Sequence, residues 1–161
     1  MRAAAIILLV LCLAAAGLTG YLYFNANVIV TEVSCVAADA ADQAETFAQL
    51  KAAAGNGTFT GTPFDTEEIG SAEDYLFYTY TVRVNNESFV DAEVAEIQVT
   101  PMSGDVLQTG ESAPRKIPAR SEGTIQTTIL TRKGSHNVRE MTVTWYLWGL
   151  PFSAKAAYTA K

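Results

Sequence analysis

Most of the residues that enzymes and metal sites depend on are scarce in this chain of 161 residues. His136 is the only histidine, and Cys12 and Cys35 are the only cysteines. A zinc site would have to draw on His136, Cys35 and scattered carboxylates, with no ligand spacing to support it. Ser135 precedes His136, but sequence neighbours rarely present their side chains to each other. No Gly-x-Ser-x-Gly elbow is present, which leaves only a triad assembled from distant segments. There is no glycine-rich phosphate loop, no proline-rich linker, no repeat and no low-complexity tail. No catalytic residue, cofactor or metal is expected, and the chain reads as a non-enzyme. Positive charge is also in short supply, with 11 Lys and Arg against 17 Asp and Glu. That balance argues against nucleic acid and anionic lipid headgroups as ligands.

Apolar residues, by contrast, are concentrated at the start. Residues 3–24 form a run of 22 without a charge. A helix needs roughly 20 residues to cross the hydrocarbon core. Two readings fit residues 1–24. The run is a cleaved secretory signal, with Arg2 as its positive region and Ala14-Ala15-Ala16 as a cleavage site before Gly17. Or it is a retained anchor, because Leu18, Leu22 and Phe24 extend it to spanning length and Tyr21 and Tyr23 sit at interfacial depth. With Arg2 on the near side, an anchor is single-pass in the cell membrane, with its N-terminus cytoplasmic and the rest of the chain outside. Cys12 lies within the run, so Cys35 has no intrachain partner and reads as a buried thiol.

Residues 25–161 form one extracytoplasmic domain, large enough to bury a core without disulfides. Residues 28–36 are β-branched and partly alternating, as in a strand. Residues 37–54 are Ala-rich with Gln, Glu, Leu and Lys, and predict a helix over about 39–54, capped by Asp39 and closed by Gly55-Asn56-Gly57. Ala40, Ala44, Phe47 and Leu50 share one side of it. Residues 58–74 read as a solvated acidic loop containing Asp65, Glu67, Glu68, Glu73 and Asp74, without the spacing of a calcium loop. Period-two alternation then predicts strands over 75–85, 89–100, 124–131, 140–148 and 152–159, and there is room for a short strand at 106–108. In the second of these the phase slips near Val94 and Ala95, the mark of a β-bulge. The pattern predicts a mainly β fold, an immunoglobulin-like antiparallel sandwich with one inserted helix. Its core is expected to hold Val82, Ile97, Val99, Ile125, Ile129, Val143 and Trp145.

The stretches Tyr80-Thr-Val-Arg-Val-Asn-Asn-Glu-Ser-Phe-Val-Asp-Ala-Glu, Ile97-Gln-Val-Thr-Pro and Ile117-Pro-Ala-Arg-Ser-Glu-Gly-Thr resemble bacterial immunoglobulin-like extracellular domains of the CARDB and LEA14-like kind. They also resemble uncharacterised single-span proteins of Gram-positive bacteria. The resemblance covers roughly residues 75–158 and rests on strand patterning and turn residues. It implies a binding or scaffolding role and no shared catalytic residues.

Trp145-Tyr-Leu-Trp-Gly-Leu-Pro-Phe152 concentrates aromatics around a hairpin tip. Trp145 and Leu147 fit a core. Tyr146, Trp148 and Phe152 are candidates for contact with a partner or the membrane, with packing between sheets as the alternative. Asn56-Gly-Thr and Asn86-Glu-Ser fit the glycosylation pattern. The expected role is a membrane-anchored, non-enzymatic interaction or structural module, held by its N-terminal helix and open to a protein partner at the cell surface. The alternatives are a secreted, signal-cleaved ligand-binding protein or small enzyme, and an accessory subunit of a membrane complex.

Overall fold

The apolar run folds as helix α1 (Arg2–Phe24), in a computed structural model that describes residues 2–110 and 115–159. Apolar residues surround this helix on all sides, and the rest of the chain buries none of its spanning stretch. It is long and apolar enough to cross a membrane. Asn25 closes it by donating both its backbone N–H and its Nδ2 to the Tyr21 carbonyl, at 3.1 and 2.8 Å.

The chain then runs through β1 (Val28–Asp39), α2 (Ala44–Gly55), β2 (Gly61–Pro63), β3 (Tyr75–Asn86), β4 (Ala92–Val99) and β5 (Asp105–Thr109). It continues through β6 (Arg115–Ile117), β7 (Ser121–Arg132), β8 (Arg139–Leu147) and β9 (Leu150–Tyr158). Two antiparallel sheets result, one in the order β1-β3-β7-β5-β2 and the other β6-β4-β8-β9. They pack face to face as a β-sandwich. All seven residues expected in the core are buried there, with Tyr80, Val84, Met141 and Leu147 beside them.

The alternation in β3 explains a second core. Tyr78, Tyr80, Val82 and Val84 point between the sheets. Tyr75 and Phe77 point the other way, where Phe47 of α2 covers them together with Ile69, Leu107 and Leu130. The ring centroids of Phe47 and Tyr75 are 5.7 Å apart. Helix α2 thus packs on the outer face of the larger sheet. Its end is a Schellman motif: Thr58 N–H donates to the Ala53 carbonyl at 3.0 Å and Gly57 N–H to the Ala54 carbonyl at 3.4 Å, with Gly57 at φ +68°.

The helix starts at Ala44 rather than Asp39, and Gln43, not Asp39, precedes it without a side-chain cap. Ala37, Ala38 and Asp39 instead extend β1, opposite Tyr78, Phe77 and Leu76. Pairing with a long central strand outweighs the helix propensity of alanine. The expected loop at 58–74 contains the edge strand β2, and the strand expected from residue 89 begins at Ala92. The register of β4 shifts between Glu93 and Ala95 against β6, where the bulge was expected. Gln108 links the sheets beyond the short β6. Its Oε1 accepts from Val99 N–H at 2.9 Å, and its Nε2 donates to the Ile97 carbonyl at 2.5 Å.

Candidate functional site

Four connections meet at the end of the sandwich where α1 enters: the junction 25–27, the loop 87–91, the turn 118–120 and the hairpin turn 148–149. The junction is bonded to the first loop. Glu87 N–H donates to the Asn27 carbonyl at 2.9 Å, and Asn27 Nδ2 donates to Glu87 Oε2 at 3.0 Å. Asn86 is fully buried and organises two of the loops. Its Nδ2 donates toward the carbonyls of Val90, Ile117 and Pro118 at 2.9–3.1 Å, while its Oδ1 accepts from the N–H and hydroxyl of Ser88. With its amide so engaged, Asn86 is a structural residue despite its glycosylation triplet. Asn56, in the other triplet, is an exposed helix cap.

The loop held by Asn86 pushes Phe89 outward, leaving 53% of it exposed. The Arg120 guanidinium lies 4.1 Å from the Phe89 ring centroid, within cation–π range. Arg120 N–H donates to the Ser88 carbonyl at 3.3 Å.

The hairpin between β8 and β9 closes after the pair Leu147–Leu150, so Trp148 and Gly149 are its two turn residues. Both have positive φ, 52° and 76°. A two-residue turn of this kind matches the strand twist, and Asn or Asp followed by Gly normally fills it. A tryptophan there is strained, because its Cβ crowds the backbone. Among the described residues, Arg120 and Trp148 are the only non-glycine positions with positive φ. Both lie at this end.

The three aromatic candidates separate. Trp148 stands at the tip, 46% exposed. Phe152 is half-buried on the core, and its ring centroid lies 5.7 Å from that of Tyr23 in α1. Tyr146 sits opposite Pro151 and Glu93 and is partly exposed. All three therefore lie at the helix-proximal end, with Phe152 facing the core and α1 and Tyr146 facing outward from the sheet.

The opposite end carries a buried ion pair. Arg139 and Asp105, with fully buried side chains, form a bidentate pair at 2.9 and 2.6 Å. Arg139 Nη1 also donates to the carbonyls of His136 and Val138, and Asp105 Oδ2 accepts from Met102 N–H at 2.8 Å. Burial opposes the guanidinium's charge, but the Asp105 carboxylate more than offsets it and raises the Arg139 pKa. All three guanidinium nitrogens donate, so the pair pins the 133–138 connector onto β5. Burial likewise pushes the Cys35 thiol and the Tyr80 phenol up, keeping both protonated. Arg132 holds two acids of the 58–74 segment, Glu67 at 2.6 Å and Asp65 at 3.3 Å. Behind them a cleft of about 580 Å³ opens between the end of α2 and β2, floored by Phe59, Ile69, Val106 and Leu107. Among the described residues no group of three or more His, Cys, Asp or Glu could hold a metal ion.

No protein-family model matches the chain, and no curated protein matches it. A crystal structure of a protein from Archaeoglobus fulgidus aligns over 83% of this chain and 98% of its own, at 10% identity and a TM-score of 0.37. A likeness at that level carries nothing to this chain.

Sequence reasoning missed Phe89, Arg120, Asp105 and Arg139. Phe89 reads from sequence as the start of a strand, whereas the strand begins at Ala92 and Phe89 lies in the loop before it. Arg139 had a readable signal, because it shares the parity of Met141, Val143, Trp145 and Leu147, all inward-facing.

Proposed function

We propose that this chain is a single-span, membrane-anchored module, with α1 in the bilayer and the sandwich held on the extracytoplasmic surface as a non-enzymatic interaction or structural domain. The observation that carries this reading is the junction. Only Asn25, Ala26 and Asn27 separate α1 from β1, and Ala26 already packs on the sandwich core. The ring of Tyr23 meets Phe152, and Asn27 is bonded to Glu87. Cleavage after Ala16 would leave the exposed apolar residues Leu18, Tyr21, Tyr23 and Phe24 without a bilayer around them. The orientation rests on Arg2, the charge next to the apolar run. The non-enzymatic role is supported by the functions of the buried polar groups, which bond backbone and one another.

Crosslinking in native membranes followed by mass spectrometry tests the role. The expected result is a reproducible set of partner crosslinks from exposed lysines such as Lys155. Turnover of a substrate by the purified full-length chain, in the absence of partner crosslinks, would contradict it.

A further inference from the structure

We infer that the helix-proximal end of the sandwich is a lipid-docking surface: the Trp148 hairpin tip and Phe89 insert into the bilayer interface beside the chain's own helix. The inference rests on the anchored reading above and adds what the sandwich itself touches.

Four observations converge. Trp148 occupies a left-handed turn position that asparagine or glycine would fill without strain, and its side chain is half-exposed. Backbone strain at an exposed aromatic calls for a compensating role for the side chain. Next, the hairpin adjoins the helix end, where Phe152 packs against Tyr23, so its tip continues the aromatic belt of Tyr21 and Tyr23. Tryptophan and tyrosine favour that depth because an apolar ring and a polar N–H or O–H suit the two sides of the boundary. A third contribution comes from the neighbouring loop, which presents Phe89 with the Arg120 guanidinium over its ring, a cation able to meet phosphate. Finally, Leu150, directly after the turn, adds a further exposed apolar side chain at the tip.

Charge specifies the lipid. Glu87, Asp91 and Glu122 lie in or beside these loops, against Arg120 and Lys116, and Lys116 is already paired with Asp91 at 2.7 Å. The surface is not a polybasic patch, so docking is driven by aromatic burial and gains nothing from anionic lipid.

Trp148 is its own reporter, since the only other tryptophan, Trp145, is buried in the core. Full-length chain is reconstituted into phosphatidylcholine vesicles brominated near the top of the acyl chains. The expected result is loss of a blue-shifted tryptophan component that the Trp148→Phe variant lacks, unchanged when phosphatidylglycerol is added. Emission from Trp148 that resists brominated lipid but is quenched by aqueous acrylamide, in chain that floats with the vesicles, overturns docking and leaves the anchored reading standing. Chain that fails to float with the vesicles overturns both. Trp148→Gly provides a second variant that keeps the turn, and it should also lack the lipid-quenched component.

Discussion

Trp148 faces two opposing demands. A left-handed backbone costs a bulky L-residue about 1–2 kcal/mol, a cost glycine escapes. Trp148→Gly should therefore be more stable than Trp148→Ala by about 1 kcal/mol, measured by thermal melting of the full chain in detergent; both lack the indole, so the difference reports the backbone. Equal stabilities would mean that the turn position carries no strain. Arg139 and Asp105 predict the opposite behaviour. Arg139→Met leaves a buried carboxylate without its partner and should cost about 3–5 kcal/mol by the same measurement. Pairing it with Asp105→Leu should recover much of that loss. Cys35 gives a chemical check. Because burial raises its pKa, alkylation in the folded chain should need a higher pH than in denaturant. At this scale the sequence was legible where alternation rules, as in β8, whose parity places Trp145 inside and Tyr146 outside. It was silent on φ: nothing in the letters Leu-Trp-Gly-Leu says that the tryptophan joins the glycine in the left-handed region.

Elements follow from pairing as much as from local preference. Residues 37–39 are helix-forming letters, yet β3 is long enough to recruit them into β1. The helix keeps only the part whose apolar side, Phe47 and Leu50, meets the outward residues of β3 and β5. Phe47→Ala should cost about 3–5 kcal/mol locally, releasing α2 while the inter-sheet core stays closed. Hydrogen exchange would then accelerate in α2 and not in β7 or β8. Equal acceleration everywhere would show the two cores to be one cooperative unit. Gln108 is a second such joint. Gln108→Leu strands the Val99 N–H and Ile97 carbonyl at the sheet edge, at about 1–3 kcal/mol for each group left unpaired. The long strands were readable from their period, whereas β2 and β6, three residues each, carry too few letters to show one.

At the scale of the whole molecule, polarity runs along the long axis of the sandwich. One end joins α1 and gathers Tyr23, Phe89, Trp148 and Phe152. The other end gathers Asp65, Glu67 and Arg132 around the cleft beside α2. A net charge of −6 keeps most of the surface wetted, while the aromatic end is suited to an interface. The sequence showed the span and the sandwich separately. Their close coupling through Asn27, Glu87 and Phe152 depends on contacts between segments far apart in the chain, which no local pattern encodes. Anchoring requires that α1 be retained. Intact mass of the chain recovered from alkali-washed membranes decides this: an anchored chain has a mass that includes residues 3–16, and a soluble chain starting at Gly17 rules anchoring out.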